Sequence, residues 1–231
     1  MPTFKERALL TEMMDDPEVD SMLFKKNLRE LDILNWFLGG HAVSLEGVKN
    51  LLEKGKLYTI VDLGCGSGDT LRHLAQWGRR KRIRARFVGV DANENAIGYL
   101  KEKCIGYPEI TGVVKDYETF LKTSPVADIY LCSLFCHHLD DGQLVNLFRA
   151  LKQAKTGFVI NDLRRSGLAY YCTWLFTRLF NGTMLSKNDG PISVLRAFTK
   201  SELEHLLKEA GCTNVIIKKR WLFRFLVVVK S

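Results

Sequence analysis

A buried-strand pattern that leads into a glycine-rich turn constrains the fold of this chain more than any other feature of its sequence. Ile60 and Leu63 lie in a short apolar run typical of strands covered on both faces of a sheet, and Gly64, Gly66 and Gly68 follow directly. Glycine allows positive φ and lets the backbone approach a ligand without a Cβ in the way. A helix that starts after such a turn directs its free N–H groups at the bound group. The pattern predicts an α/β fold with a ligand-binding turn.

The spacing of the glycines distinguishes between nucleotide ligands. A dinucleotide fingerprint is G-x-G-x-x-G, whereas here the glycines stand at alternate positions and an acid, Asp62, precedes the first by two residues. The segment 62–68 instead resembles the first motif of the class I S-adenosylmethionine (SAM) methyltransferases. The resemblance implies that Asp62 helps to hold the methionyl ammonium, and that the glycine backbone lies along the amino-acid and ribose portions. A tight strand-to-helix turn in another α/β protein is the alternative.

Two further acids are predicted to lie at the carboxyl ends of strands. Asp91 follows the strand-like run 87–90, and a carboxylate at the end of the second strand of a nucleotide-binding unit accepts hydrogen bonds from ribose hydroxyls. A helix N-cap formed by Asp91 or Asn93 is the alternative. The methyltransferase resemblance implies that Asp116, after the third strand, accepts the adenine amino hydrogens and that Tyr117 lines the ring. A surface turn acid is the competing interpretation of Asp116.

These features define a predicted cofactor site, with SAM as the cofactor and S-adenosylhomocysteine (SAH) as the product. No metal is expected, because the six cysteines show no paired C-x-x-C spacing, and the same scatter indicates no disulfide framework. The residues expected around the cofactor are Asp62, Gly64, Cys65, Gly66, Asp91, Ala92, Asp116, Tyr117 and Ser133.

The segment after the fourth predicted strand carries two candidate catalytic residues. Residues 133–139 resemble the corresponding segment of the small-molecule branch typified by the ubiquinone and menaquinone biosynthesis methyltransferases. Methyl transfer is an in-line displacement at a sulfonium, so a neutral hydroxyl acceptor must lose a proton, which His137 or His138 could accept. The alternative is that these histidines cap backbone groups or pack beneath the cofactor.

Asp162 is the third candidate catalytic residue. It follows the fifth predicted strand and therefore faces the same crevice as the histidines. Its carboxylate could orient a histidine or bind the acceptor. An ion pair with Arg164 or Arg165 agrees equally well with the sequence.

The order of apolar runs and turn signals predicts one α/β domain over residues 1–231, and the resemblance implies that it is a methyltransferase domain. Its fold class is α/β: a Rossmann-like, doubly wound, mostly parallel seven-stranded sheet with an antiparallel last strand. Residues 1–56 form an N-terminal helical cap, and residues 57–163 form the cofactor-binding half. Residues 199–231 form a capped helix and two strands joined by a short connection, which makes them an antiparallel pair.

The N-terminal cap contains two predicted helices, over residues 18–38 and 42–54, where apolar residues recur at helical spacing. They precede the glycine turn and so lie outside the parallel sheet, across its ligand-binding edge. This position would bring Trp36 to the cofactor or the acceptor as a substrate-binding residue. A role that only covers the sheet is the alternative.

Residues 164–198 form a predicted aromatic helical insertion after the fifth strand. Its segment 168–180 carries Tyr170, Tyr171 and Trp174 and only one charge. We expect these rings to bind substrate by roofing an acceptor pocket for a flat or lipidic molecule, in preference to forming a dimer interface or plain core. Residues 188–191, which read Asn-Asp-Gly-Pro, predict a turn within the insertion.

Charge and hydropathy bound the partners and the location. A basic cluster contributes much of the net charge of +8, but a loop at its place in a βα unit lies at the sheet end away from the ligand, so we expect the cluster to be solvated. No apolar run approaches the roughly 18 residues of a membrane span, and the N-terminus shows no secretory signal. We therefore expect a cytoplasmic protein whose segment 168–180 makes a peripheral membrane contact at most. The basic cluster comprises Arg79, Arg80, Lys81, Arg82, Arg84 and Arg86.

The sequence thus predicts an enzyme, a SAM-dependent methyltransferase of a small aromatic or lipid-like acceptor, with O-methylation of a hydroxyl favoured. C-methylation of a quinol or polyketide-like acceptor is an alternative, as are a nucleic-acid or protein methyltransferase and a non-catalytic protein that binds SAM or NAD. Against nucleic acid as a partner, the fourth strand lacks the Asn/Asp-Pro-Pro-aromatic sequence of amino-methylating enzymes. The sequence indicates neither the acceptor nor the oligomeric state.

Overall fold

The computed structural model of the protein describes residues 2–16, 18–53, 55–180 and 182–231. Within these residues, seven strands form one sheet: β1 (Leu57–Leu63), β2 (Arg84–Asp91), β3 (Ile110–Val114), β4 (Ile129–Ser133), β5 (Gly157–Leu163), β6 (Val215–Arg220) and β7 (Arg224–Lys230). Their order is β3-β2-β1-β4-β5-β7-β6, with the first five strands parallel and β7 antiparallel to both of its neighbours. The predicted doubly wound sheet with an antiparallel last strand is confirmed.

Helices cover both faces of the sheet. The described helices are α1 (Ser21–Phe37), α2 (Gly40–Lys49), α3 (Asp69–Lys81), α4 (Glu94–Lys103), α5 (Tyr117–Thr123), α6 (Asp141–Leu151), α7 (Gly167–Leu179), α8 (Met184–Arg196) and α9 (Lys200–Glu209). Helices α2, α3 and α4 pack on one face, and α5, α6 and α9 on the other. Helix α1 packs on α4, while α7 and α8 pack on each other at the carboxyl ends of the strands.

The core lies in two layers because successive strand residues point to opposite faces of the sheet. In β1, Ile60 belongs to the layer beneath α2, α3 and α4, whereas Val61 belongs to the layer beneath α6 and α9. In β5, Phe158 and Val159 divide in the same way, and both are fully buried. This double coverage is what the continuous apolar runs of the sequence predicted.

Most of the basic cluster lies in regular structure, and only Arg82 lies in the connection between α3 and β2. Helix α3 continues to Lys81 and β2 begins at Arg84, which leaves only two residues, Arg82 and Ile83, between them. Basic side chains in the last turn of a helix interact favourably with its dipole, which stabilises this end of α3. Arg79 also pairs with Glu109 at 2.6 Å. Within β2, Arg84 and Arg86 precede Asp91 by seven and five positions, roughly 23 and 17 Å at about 3.3 Å per residue.

The turn predicted at residues 188–191 is wrong, because these residues lie inside α8 with Pro191 in its interior. The turn-forming side chains serve tertiary contacts instead. Asp189 is buried and accepts hydrogen bonds from the backbone N–H groups of Met13 and Met14 at 2.8 and 2.9 Å. Gly190 lies so close to α7 that a Cβ would approach Thr173 Cγ2 to 2.9 Å.

The helix predicted over residues 42–54 spans Gly40–Lys49 instead, and its predicted last residue, Lys54, lies outside the described residues. Among the described helices, each is too short or too polar to cross a membrane.

Candidate active site

A cavity of about 560 Å³ lies beyond the carboxyl ends of β1, β2 and β4. The glycine turn and the ends of these strands form one half of its wall. Helix α1, helices α7 and α8 and the N-terminal segment 12–15 form the other half. Ligands of open parallel sheets bind at this edge, where the strand order changes direction. The topology therefore places the cavity where the sequence predicted a site.

The glycine turn is shaped by close contacts as well as by its dihedral angles. Gly64 and Gly66 have φ of +67° and +51°, a region that other residues seldom adopt. A Cβ on Gly64 would lie 2.2 Å from the ring of Phe135, so no side chain fits there. The N–H groups of Gly64 and Cys65 donate to the carbonyl of Val90 at 2.9 and 3.1 Å. These bonds tie the turn to the end of β2 and leave its outer surface open to the cavity.

Asp62 presents a buried carboxylate with an unmet hydrogen-bonding capacity. The residue is 1% exposed, and its Oδ1 has no hydrogen-bond partner among the described residues. Burial raises the pKa of Asp62 well above its ordinary value, and the nearby carboxylates of Asp69 and Asp91 raise it further. A carboxylate in this state gains most from a cationic partner, since a cation supplies both hydrogen bonds and charge. The fit to an ammonium group is therefore good.

Asp91 links the second strand to the glycine turn. Its Oδ2 accepts a hydrogen bond from the N–H of Gly66 at 2.9 Å, and its Oδ1 accepts one from Asn93 at 2.9 Å. The side chain of Asn93, not that of Asp91, caps α4. Burial raises the pKa of Asp91, and the two backbone bonds oppose that shift. An ionised carboxylate has about four acceptor positions, so Asp91 keeps capacity to accept from hydroxyl groups in the cavity.

The end of β3 contributes an acid and an aromatic wall. Asp116 caps α5 by accepting from the N–H of Thr119 at 2.8 Å, and this bond lowers the pKa of Asp116. Tyr117 packs edge-on against Phe135 with ring centroids 5.5 Å apart. Burial raises the pKa of Tyr117 to about 12, so its ring stays neutral. The cavity is lined by all the residues predicted around the cofactor: Asp62, Gly64, Cys65, Gly66, Asp91, Ala92, Asp116, Tyr117 and Ser133.

His137 and Asp162 form a buried pair behind the cavity wall. His137 Nδ1 lies 2.7 Å from Asp162 Oδ1, and the backbone N–H of His137 donates to Asp162 Oδ2 at 3.2 Å. Burial would raise the pKa of Asp162, but the adjacent imidazole outweighs burial and holds that pKa below its ordinary value. Arg165 pairs with Glu202 instead of Asp162. With Nδ1 held by the carboxylate, Nε2 of His137 is the ring atom left for the cavity.

Two acids that the sequence did not single out, Glu12 and Asp15, face the histidines from the N-terminal segment. Asp15 Oδ2 lies 3.1 Å from His138 Nδ1, and Glu12 Oε1 lies 3.6 Å from His137 Nε2. Burial would lower the pKa of His138, but its hydrogen bond to Asp15 and the charge of Glu12 outweigh burial and raise that pKa. No motif marks either acid, because their role depends on a contact between distant parts of the chain.

Three arginines attach the chain that leads into the N-terminal segment, residues 4–11, to the rest of the site. Arg7 donates to the carbonyl of Leu139 at 2.7 Å and pairs with Asp141 at 2.6 Å. Arg165 donates to the carbonyl of Phe4 at 3.1 Å. Arg196 donates to carbonyls on both sides, those of Leu10, His137 and His138. These contacts fix the segment to the loop that carries the histidines.

The aromatic side chains predicted to bind substrate lie outside the cavity, which corrects that prediction. Trp36 is 65% exposed and packs on Phe37. Tyr171 and Trp174 are also exposed, and Tyr170 packs edge-on against Phe4. Helix α7 instead turns Thr173 and Thr177 to the cavity. Small inward side chains allow the close approach of α8, so the rings occupy the outer face of the helix.

Comparisons with known proteins agree with this geometry. Residues 60–155 match the family model described as a methyltransferase domain. Human N-acetylserotonin methyltransferase, solved in complex with SAM, is 15% identical with a TM-score of 0.65, over 92% of this chain and 56% of that one. The plantazolicin methyltransferase BpumL, in complex with SAH, is 15% identical with a TM-score of 0.64, over 93% of this chain and 91% of that one.

The mitomycin 7-O-methyltransferase MmcR is 15% identical with a TM-score of 0.57, over 86% of this chain and 54% of that one. The chain thus spans just over half the length of MmcR and of the human enzyme. No curated protein matches the sequence. Residues 60–155 thus match a methyltransferase domain, and the strand order and the glycine turn give the chain the Rossmann-like fold of the class I methyltransferases.

Proposed function

We propose that the protein transfers the methyl group of SAM to a hydroxyl of a small aromatic or lipid-like molecule. The observation that carries this proposal is the His137–Asp162 pair, because it leaves Nε2 of His137, 3.6 Å from Glu12 Oε1, without a hydrogen bond of normal length to any described residue in the half of the cavity that faces the N-terminal segment. The structures of a serotonin-derivative methyltransferase and of a 7-O-methyltransferase on the same fold support a small acceptor. The closer resemblance to the ubiquinone and menaquinone enzymes stays a prediction.

The cofactor half of the cavity fits SAM through its own residues. Asp62 would hold the methionyl ammonium, because its buried Oδ1 lacks any other partner among the described residues. Asp91 would accept from the ribose hydroxyls, while Asp116 and Tyr117 would border the adenine. Phe135 packs against Gly64, where a Cβ would not fit, and both residues border the cavity that the cofactor would occupy. When bound, SAM supplies a methyl group already activated on a cationic sulfur.

The acceptor half provides proton removal. Asp162 accepts from Nδ1–H of His137, which fixes the tautomer and leaves the Nε2 lone pair free to take a hydroxyl proton. The buried carboxylate then stabilises the imidazolium that forms. General-base catalysis of this kind contributes about 10²–10⁴-fold to a rate. His138, held by Asp15, borders the same space.

The charge of the site disfavours nucleic acid as the acceptor. Carboxylic acids outnumber basic side chains in the cavity lining, so a phosphate backbone would meet like charge. The basic cluster that could attract it lies at the opposite end of β2. C-methylation of a quinol would use the same base on a phenol, so the chemistry of the product must distinguish it from O-methylation.

The outer surfaces of α1 and α7 favour a lipid-like acceptor delivered from a membrane. On α1, exposed Lys25, Lys26 and Arg29 lie on the same side of the helix as exposed Ile33 and Trp36, so an anionic lipid surface would meet basic and apolar side chains together. On α7, the exposed apolar side chains are Leu168, Tyr171, Trp174, Leu175 and Leu179, next to the cation of Arg178. We include in the proposal a peripheral contact of this apolar and basic face with an anionic lipid surface.

A hydrogen bond joins the two parts of that face. Glu30 of α1 accepts from the N–H of Thr183, just after α7, at 2.8 Å. The inner sides of the same two helices line the cavity with Leu28, Leu31, Thr173 and Thr177. A lipid surface would therefore lie against the elements that enclose the acceptor.

The first test combines cofactor binding with methyl transfer. We expect calorimetry to show binding of SAM and SAH but not of NADH, and mass spectrometry to show methylation within a panel of phenols, quinols and phenolic lipids. His137→Ala should keep SAM affinity near that of the wild type and lower turnover on a hydroxyl by about 10²–10⁴-fold, because only proton removal is lost. His205→Ala, an exposed change on α9, is the matched control.

Binding of NADH in place of SAM would overturn the cofactor assignment. Full turnover of His137→Ala on every hydroxyl acceptor would show that the proton leaves by another route. A product methylated on carbon would replace the O-methylation proposal and leave the cofactor assignment intact.

A further inference from the structure

Glu12, His137 and His138 converge on one point at the border of the acceptor half. The Nδ1 atom of each histidine is held by a carboxylate, Asp162 or Asp15, so both Nε2 atoms are directed at Glu12. Among the described residues, one ligand atom of each of the three side chains lies within 4.8 Å of the others. We propose that this cluster binds a divalent transition-metal ion such as Zn²⁺, and that the bound ion stops methyl transfer.

The distances suit an ion better than direct hydrogen bonds. Nε2 of His137 lies 3.6 Å from Glu12 Oε1, and Nε2 of His138 lies 3.9 Å from Glu12 Oε2. Both separations exceed a normal hydrogen bond. Two ligands at about 2.0–2.2 Å from a tetrahedral ion are about 3.4 Å apart, so small side-chain movements would close the site on a metal. Two imidazoles and one carboxylate are ligands that zinc accepts readily.

The surroundings of the cluster are those of a prepared metal site. Asp162 and Asp15 fix the ring orientation of the histidines, as carboxylates commonly do for metal-binding imidazoles. Ser193 Oγ donates to Glu12 Oε1 at 2.9 Å, which holds the third ligand in place. Glu12 and His137 are each 3% exposed, so a buried carboxylate already lies beside the two imidazoles and an ion would bind all three side chains directly. The prediction of no metal rested on the spacing of the cysteines. It missed this cluster, because the cluster consists of two histidines and a glutamate.

Metal binding and proton removal require the same atom. The Nε2 lone pair of His137 that bonds to an ion is no longer available to a hydroxyl proton. The metal therefore competes with catalysis. The inhibitory role rests on the proposed function, whereas binding of the ion does not.

Binding is tested on the full-length protein after dialysis against a chelator. Titration with Zn²⁺ should show one equivalent bound, and Co²⁺ should produce visible absorption bands of a low-symmetry site. Glu12→Gln and His138→Ala should each weaken Zn²⁺ binding at least tenfold, because each removes one ligand. The matched controls Glu204→Gln and His205→Ala change exposed side chains on α9 and should bind as the wild type does. Equal affinity in all these variants, or no binding by the wild type, would overturn the site.

Inhibition is tested in the methyl-transfer assay. The metal-free protein should be active, and Zn²⁺ should inhibit it with a constant equal to its dissociation constant from the titration. His138→Ala should shift both constants together, which a purely structural effect would not do. A requirement for Zn²⁺ in turnover, or full activity with the site occupied, would overturn the inhibitory role. If no acceptor is methylated under any condition, the proposed function fails while the titration still decides the metal site.

Discussion

At the scale of single residues, the buried acid Asp62 lowers stability at a place where the proposed cofactor contact would gain from it. Its carboxylate is buried, lacks a partner for Oδ1 among the described residues, and lies near two other acids. A carboxyl whose pKa is raised in the folded protein disfavours folding once the pH exceeds its unfolded value, because the unfolded chain ionises more easily. The ionised residue therefore opposes folding, and the ammonium contact proposed for it would offset that cost only when the cofactor is bound.

Replacement of this acid separates the two effects. We expect Asp62→Asn to raise the melting temperature by about 2–4 °C, as about 1 kcal/mol would do in a domain of this size, and to weaken SAM binding at least tenfold. The thermal gain should shrink as the pH falls through the raised pKa of Asp62, since the wild-type carboxyl then also becomes neutral. Differential scanning calorimetry across pH and titration with SAM measure both. A lower melting temperature at neutral pH would contradict the expected destabilising charge.

At the scale of elements, α7 and α8 show that packing can override turn signals. Gly190 and Pro191 both lie inside α8, and a Cβ at position 190 would lie 2.9 Å from Thr173 Cγ2 and 3.4 Å from Thr177 Cγ2. The glycine therefore sets how closely the two helices approach. Since α7 lines the cavity with the same threonines, the spacing also shapes the acceptor half.

The same glycine-to-valine substitution at two helix positions tests whether Gly190 sets the distance between α7 and α8. Gly190→Val should destabilise the protein by about 1–3 kcal/mol more than Gly98→Val, because position 98 on α4 has no neighbour within 4 Å of a built Cβ. Both changes carry the same cost of a β-branched residue in a helix, so the difference reports the helix contact. Chemical denaturation measures it. Equal stability of the two variants would show that α7 can shift without cost.

Sequence patterns predicted those parts of the molecule that local physics determines. The strands, the glycine turn and the acids at strand ends follow from apolar runs, positive φ and the common edge of parallel strands, and the residues predicted around the cofactor line the cavity. Glu12 and Asp15 could not be predicted, since they reach the histidines through arginine contacts across the chain. The prediction that Tyr171 and Trp174 bind substrate was wrong, because the sequence of an aromatic helix does not indicate which of its faces points to the cavity.

At the scale of the whole molecule, two basic regions lie at opposite ends of the fold. The basic cluster lies at the start of β2, whereas Lys25, Lys26 and Arg29 border the exposed apolar side chains near the cavity. Each basic residue near an anionic lipid surface contributes about 1 kcal/mol of attraction. The basic residues of α1 lie beside exposed apolar side chains such as Ile33 and Trp36, and this distinguishes them from the basic cluster.

This asymmetry predicts the orientation of membrane binding. Co-sedimentation should show that the protein binds vesicles containing phosphatidylglycerol more strongly than pure phosphatidylcholine, and less strongly at high salt. Lys25→Glu with Lys26→Glu should weaken binding more than tenfold. The matched control Arg80→Glu with Arg82→Glu removes the same charge from the basic cluster and should have little effect. The reverse ranking would place the contact at the other end of the sheet.

The division of the cavity has a consequence for how such proteins diverge. The residues that would hold the cofactor come from the turn and the strand ends of the sheet, while Glu12, Asp15, Thr173 and Ser193 come from the N-terminal segment and the α7–α8 pair. Neither of these parts belongs to the sheet. New acceptor preferences can therefore evolve, or be engineered, by exchanging two short regions at the periphery while the inherited centre that binds the cofactor is left untouched.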